Sequence, residues 1–149
     1  MSTNVVLLVE DNDDDVELTM RSFAKHKLSS KVVVMRNGQE ALDYLFRQGS
    51  YAQRDPAEIP SVILLDLKLP KVDGLEVLRQ IRSQAATKCI PVVVLTTSSQ
   101  TQDKLESYSS GVNSYIRKPV DFDQFMEVTR QLGIYWLTIN EPPPIKIGD

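Results

Sequence analysis

Five short runs of β-branched and aliphatic residues recur along this chain, each followed by a stretch with helical spacing, and this alternation constrains the fold more than any other feature. The runs are Val5 to Val9, Lys31 to Met35, Val62 to Leu67, Pro91 to Thr96 and Val112 to Arg117. A run that is apolar at successive positions, rather than at every second one, belongs to a strand covered on both faces. Such strands are parallel and are joined by crossover helices. Five alternations of strand and helix describe a doubly wound α/β domain with helices on both sides of a parallel sheet.

The intervening stretches supply the helices. Asn12 to His26 carries Val16, Met20, Phe23 and Ala24 as one apolar stripe, and the acids Asp13, Asp14, Asp15 and Glu17 suit the positive end of that helix. Asp14, Asp15 and Glu17 are read as helix-start charges only. Gly38 to Arg47 turns Ala41, Leu42, Leu45 and Phe46 inward, and Leu75 to Arg82 does the same with Leu75, Leu78 and Ile81. Between Ser99 and Ser110 only Leu105 and Tyr108 are apolar, so this helix should pack shallowly and shift at low cost. Asp121 reads as the cap of the last helix, with Gln124 three residues on, Phe122, Phe125, Met126 and Leu132 facing inward, and Gly133 as its stop.

Chemistry enters at the strand ends. Glu10-Asp11 closes the first run, Asp66 closes the third, and Lys118-Pro119 follows the fifth. Each interval between Asp11, Asp66 and Lys118 is roughly fifty residues, which two strand-plus-helix units with short loops would fill. Parallel strands end on one edge of their sheet, so these residues should meet in one crevice, the usual ligand site of an open α/β sheet. Three carboxylates and one lysine there describe a site for a divalent metal and a phosphoryl group.

Composition narrows the function classes. A chain of 149 residues is one domain by length, and 42% hydrophobic with 25% charged residues is ordinary for a soluble protein. No apolar run approaches the ~18 residues that a membrane span needs. Met1-Ser2-Thr3-Asn4 leads straight into strand-like sequence without the pattern of a signal peptide, so the cytoplasm is the expected compartment. A net charge of −3 without a basic stripe argues against nucleic acid as a partner. The single Cys89 reads as a semi-buried packing residue, and the single His26 as a surface or partly packed one rather than a phosphate relay. Gly49 to Pro60 is a polar loop of about twelve residues, longer than usual, and so either a specific contact or slack. Ile134-Tyr135-Trp136-Leu137 is too apolar for a solvated tail, while Pro142-Pro143-Pro144 reads as an extended terminus.

Four segments together resemble the receiver domain of two-component response regulators. They are Leu8-Val9-Glu10-Asp11-Asn12, Leu64-Leu65-Asp66-Leu67-Lys68-Leu69-Pro70 with Asp73-Gly74, Val94-Leu95-Thr96-Thr97-Ser98, and Tyr115-Ile116-Arg117-Lys118-Pro119. The loop before the third strand, together with the Tyr135-Trp136-Leu137 and Asn140-Glu141-Pro142-Pro143 tail, is similar to single-domain regulators that partner cyanobacterial phytochrome histidine kinases. The resemblance implies a flavodoxin-like sheet of strand order 2-1-3-4-5, with residues 1–133 as the receiver and 134–149 as a C-terminal extension. It implies a signalling protein, not an enzyme of metabolism, that accepts a phosphoryl group on Asp66 from the phosphohistidine of a sensor kinase and assists its own phosphorylation and dephosphorylation. Mg²⁺, or Mn²⁺ in its place, would be held by Glu10, Asp11, Asp66 and the Lys68 main-chain carbonyl. Lys118 would pair with the phosphoryl group, aimed inward by a cis Lys118–Pro119 bond, and Thr96 with Tyr115 would form the switch. Output would come from changed binding to a downstream protein. The apolar tail, at Tyr135, Trp136 and Leu137, would form a homodimer or else cover its own domain.

Three other readings fit these residues less well. A haloacid-dehalogenase-like phosphotransferase needs an aspartate two positions after the nucleophile, where this chain has Lys68. A nucleotide-binding fold needs glycines after the first strand, where Asn12-Asp13-Asp14-Asp15 would repel phosphates. A receiver used only as an unphosphorylated interaction module has no need of the full acid, threonine and lysine set.

Overall fold

The structure, a computed structural model, describes residues 4–26, 28 and 30–144. The start at Met1 to Thr3 and the last five residues of the expected extension lie outside the described residues. The elements are β1 (Asn4–Val9), α1 (Asp13–Lys25), β2 (Ser30–Met35), α2 (Gly38–Leu45), β3 (Val62–Leu65), α3 (Gly74–Ser83), β4 (Val92–Thr96), α4 (Thr101–Ser109), β5 (Ser114–Arg117) and α5 (Phe122–Ile134). All neighbouring strands pair in parallel, in the order β2-β1-β3-β4-β5. The topological switch therefore falls between β1 and β3, where ligands bind in such sheets.

Because successive strand residues point to opposite faces, the continuous apolar runs build two cores. Leu7, Val9, Ile63, Leu65, Val92 and Val94 face α2 and α3 together with Ala41, Leu42, Leu45, Val77, Leu78 and Ile81. Val6, Leu8, Val62, Leu64 and Val93 face α1 and α5 with Val16, Phe23 and Leu132, the whole buried. Asn12, Asn37, Asp73 and Asp121 each accept a backbone N–H three residues on, capping α1, α2, α3 and α5.

Several side chains depart from the expected pattern, each for a local reason. In α1 the buried positions are Val16, Thr19, Ser22 and Phe23, whereas Met20 and Ala24 are exposed. Thr19 and Ser22 enter the core because their hydroxyls donate to the carbonyls of Asp15 and Met126, so no polar group is left bare. Phe122, the first residue of α5, is 52% exposed, and Phe125 one turn on is the first residue of that helix to enter the core. Gly133 does not stop α5 but lets it approach α1: a Cβ there would lie 2.3 Å from Leu28 Cδ1 and 3.0 Å from Phe23 Cε1. The chain continues in a wide turn, Tyr135–Ile139, that returns Trp136 and Leu137 to the α1–α5 core. Cys89 is exposed, because Ile90 rather than its neighbour takes the buried place before β4.

The long loop is not slack. Arg54 donates to the carbonyls of Tyr44, Leu45, Asp55 and Glu58 and lies 4.7 Å from the centre of the Tyr44 ring, so one guanidinium fastens the loop to the end of α2.

Candidate functional site

The register of the sheet assembles the site. Val9 pairs with Leu65, and Asp66 N–H donates to the Val9 carbonyl at 3.1 Å, so the residues that follow the two strands emerge side by side. Glu10, Asp11 and Asp66 offer carboxylate oxygens that all lie within 4.8 Å of one another, with Glu10 and Asp66 buried and Asp11 exposed. Gly74 makes room for the turn after β3, since a Cβ there would fall 2.2 Å from the Asp66 carbonyl oxygen. On the other side, Lys118 N–H donates to the Thr96 carbonyl at 2.6 Å, which carries the lysine from β5 into the same crevice.

The Lys118 ammonium donates to three carboxylates: Glu10 Oε1 at 2.5 Å, Asp15 Oδ2 at 2.8 Å and Asp66 Oδ2 at 3.0 Å. The Lys118–Pro119 bond is trans, not the cis bond expected, and the ammonium meets all three carboxylates with the bond in that form. Burial pulls the Lys118 pKa down, but the surrounding Asp15, Glu10 and Asp66 carboxylates outweigh it and hold the ammonium well above its usual range. Glu10 moves the opposite way to most paired acids. Burial pushes its pKa up to about 7, against the hydrogen bond from Lys118 and with help from the nearby Asp66 charge.

Asp15 is the member that sequence reading missed. With Asn12 as the cap, Asp15 stands on the first turn of α1, and helical side chains lean back toward the N-terminus. That lean brings its carboxylate to the strand ends. The signal was present in the spacing of three from the cap, but it stood in a row of acids each of which had a sufficient reason to be there.

Lys68 is exposed, and its N–H donates to Asp66 Oδ1 at 3.3 Å. Thr96 is fully buried with its Oγ1 accepting from Ser98 N–H at 3.3 Å. Tyr115 is half-buried, and its hydroxyl donates to the Ser98 carbonyl at 3.1 Å. Tyr135 is 46% exposed beside Trp136 in an edge-to-face pair, 4.9 Å between centres. Trp136 and Leu137 are half-buried against their own domain.

The donor set tests well for a hard divalent cation. Three carboxylates cluster beside one ammonium, their ligand atoms are all oxygen, and oxygen ligands completed by water are what Mg²⁺ takes. Placed beside a buried carboxylate nucleophile and a fixed ammonium, such a cation and lysine would neutralise a transferring phosphoryl group from two sides.

Comparison with known proteins agrees with this chemistry. The sequence matches the response regulator receiver domain over residues 6–130. It is 41% identical over 140 residues to the probable methanogenesis regulatory protein FilR2 of Methanothrix harundinacea, covering 93% of this chain and 87% of that protein. It is 38% identical over 133 residues to the response regulator Rcp1 of Synechocystis sp., covering 89% and 88% of the two chains. The Mn²⁺-bound crystal structure of Rcp1 superposes with a TM-score of 0.89 at 35% identity, over 95% of this chain and 99% of that one. The phosphorylated cyanobacterial phytochrome response regulator RcpA superposes with a TM-score of 0.90 at 39% identity, over 96% and 100%. Sequence match, strand order and the acid-and-lysine crevice converge, and the chain belongs to the response regulator receiver domain family.

Proposed function

We propose that this protein is a stand-alone response regulator that takes a phosphoryl group on Asp66 from a sensor histidine kinase of the phytochrome type. One observation carries the reading: Asp66 Oδ2 lies 3.0 Å from the Lys118 ammonium while the same carboxylate stands within 4.8 Å of Glu10 and Asp11 oxygens. An Asp66 oxygen attacks phosphorus, the nitrogen–phosphorus bond of the phosphohistidine breaks, and the freed imidazole takes up a proton from solvent. Mg²⁺, the cofactor of receiver domains, supplies charge neutralisation when held by Glu10, Asp11, Asp66 and the Lys68 carbonyl. Lys118 exchanges its bond to Asp66 for one to a phosphoryl oxygen, and the Thr96 hydroxyl donates to another. Hydrolysis of the acyl phosphate by water in the same crevice resets the protein, so it assists its own dephosphorylation without turning over a metabolite.

The phosphoryl group adds roughly −1.5 to −2 charge and biases the domain toward whichever arrangement of Thr96, Tyr115 and α4 it contacts better. The likeness to RcpA supports a phytochrome-type, light-sensing kinase as donor. Residues 1–133 form the receiver unit and 134–149 an extension through which two copies meet, with Tyr135 as the exposed anchor beside Trp136 and Leu137. The protein works in the cytoplasm, where its kinase would transfer the phosphoryl group, and acts through a downstream protein partner; no helix among the described residues is long and apolar enough to cross a membrane.

The test is Asp66→Asn, which preserves shape but cannot form the acyl phosphate. It should fold as the parent does and take no label from a phosphorylated kinase or from acetyl phosphate. Undiminished labelling of that variant overturns the assignment.

A further inference from the structure

The three carboxylates that hold the Lys118 ammonium are not alike. Glu10 and Asp66 belong, with Asp11, to the cluster that fits a divalent cation, and Asp15 lies outside it. The Asp15 side chain is 23% exposed, against 5% for Glu10 and 10% for Asp66, so water helps it keep its charge whatever the cluster holds. Its place is fixed by a helix rather than by a strand end. The Asp15 N–H donates to Asn12 Oδ1 at 3.0 Å, its carbonyl accepts the Thr19 hydroxyl at 2.8 Å, and the next residue, Val16, is buried in the core. Among the described residues, Lys118 is the one donor to the Asp15 carboxylate. Asp13 and Asp14 share the first turn of α1 with it, but both are exposed and neither bonds Lys118.

We propose that Asp15 is a positioning residue for phosphoryl transfer, holding the Lys118 ammonium at the crevice when Glu10 and Asp66 have turned to Mg²⁺. This rests on the reading above that Asp66 accepts the phosphoryl group with that cation. Carboxylates that bond a divalent cation have fewer lone pairs to offer an ammonium, and two positive centres sharing them repel each other. With those partners alone, the lysine would leave for solvent on its flexible four-carbon stem. Asp15 gives it a partner that the cation does not also claim. An ammonium has three donors, so one bond to Asp15 leaves two for phosphoryl oxygens at Asp66.

The experiment follows the ammonium itself. Side-chain NMR of the isotope-labelled full chain, with the Lys118 signal assigned by its loss in Lys118→Arg, is recorded in a chelator and in saturating Mg²⁺, and Asp66 labelling by acetyl phosphate is measured alongside. In the parent, the Lys118 ammonium protons should stay protected from exchange with water in both conditions. Asp15→Ala keeps the backbone N–H that Asn12 caps and should fold. Its Lys118 signal should stay protected in chelator, where Glu10 and Asp66 suffice, and be lost to exchange in Mg²⁺. Its labelling at saturating Mg²⁺ should slow about tenfold, the worth of one charge-assisted hydrogen bond. Asp15→Glu restores the charge and should recover both readouts, while Asp14→Ala removes a charge from the same turn and should change neither. Equal effects of Asp14→Ala and Asp15→Ala would mean a general helix-start role and overturn the proposal. So would an ammonium that stays protected in Mg²⁺ without Asp15, or one already unprotected in Mg²⁺ in the parent. A parent that takes no label on Asp66 strikes the underlying reading, and with it the part given to Asp15 in transfer, so the two failures are told apart by which readout moves.

Discussion

Replacing Glu10 by glutamine in the metal-free protein should make it more stable at neutral pH, by an amount that depends on pH. Glu10 is 3% exposed, and burial pushes its pKa up to about 7 in the folded chain, from 4.5 for an ordinary glutamate. A raised folded pKa means that the fold binds the proton more tightly than the unfolded chain does. The stability this gives the parent is therefore fully present below about pH 4.5 and is lost as pH rises through 7. Between pH 5 and pH 8 the loss works out at about 2.5 kcal/mol, or roughly 5–10 °C in Tm for a domain of this size. Glutamine keeps the shape and carries no charge, so the variant lacks this slope. Urea or thermal unfolding of both proteins in a chelator, at intervals from pH 5 to 8, gives the difference directly. Mg²⁺ must displace the same proton, so its affinity for the parent should rise about tenfold from pH 6 to pH 8 and stay nearly flat for the variant. A stability difference that does not widen with pH, together with a pH-independent Mg²⁺ affinity in the parent, would refute the argument that burial and the Asp66 charge keep Glu10 protonated.

Lys118→Ala leaves Glu10 and Asp66 buried without their ammonium, which should cost about 3–5 kcal/mol in the metal-free protein, with much of it regained on adding Mg²⁺ in a thermal-shift titration. Gly133→Ala puts a methyl against Leu28 and Phe23 where α1 and α5 meet, and chemical denaturation should show a loss of about 1–3 kcal/mol with unchanged Asp66 labelling. Arg54→Ala frees four carbonyls from their clamp, so limited proteolysis should cut between residues 49 and 60 much faster than in the parent while the rest of the domain resists. Tyr135→Glu places a charge on the exposed face of the extension and should lower the mass seen by light scattering without lowering Tm; an intact chain that stays monomeric at high concentration, modified or not, removes the basis for a dimer.

The strands, and the residues at their ends, were readable because direction and register follow from the chain alone. A continuous apolar run has to be covered on both faces, parallel strands have to end on one edge, and so Glu10, Asp11, Asp66 and Lys118 had to meet wherever the helices fell. Helix faces were less readable, because apolar spacing treats every hydroxyl as a surface residue. Thr19 and Ser22 are core residues of α1 only because carbonyls of Asp15 and Met126 lie within reach, and the second of these is on another helix. Gly133 was misread for the same kind of reason: a glycine that ends a helix and a glycine that admits a neighbouring helix look alike until Leu28 and Phe23 are in place.

The two residues that sequence reading passed over near the site, Asp15 and Ser98, share a further property. Neither occupies a strand end, and each acts on a strand-end residue from the first turn of a helix or from the loop before one. Asp15 anchors α1 to Lys118, and Ser98 with Asp103 anchors α4 to Thr96. The β-sheet thus fixes where chemistry can occur, while these two attachments tie α1 and α4 to that place. They differ in strength in a way that suits different roles. α1 is capped by Asn12, packs its Val16 and Phe23 in the core, and is tied to a buried ammonium. α4 has no side-chain bond from its cap residue, one buried serine, and only the Ser98 hydroxyl, bonded to Asp103 and to the Gln100 N–H, at its start. A change of charge at Asp66 therefore meets a firmly held helix on one side of the crevice and a loosely held one on the other, so displacing α4 costs less than displacing α1.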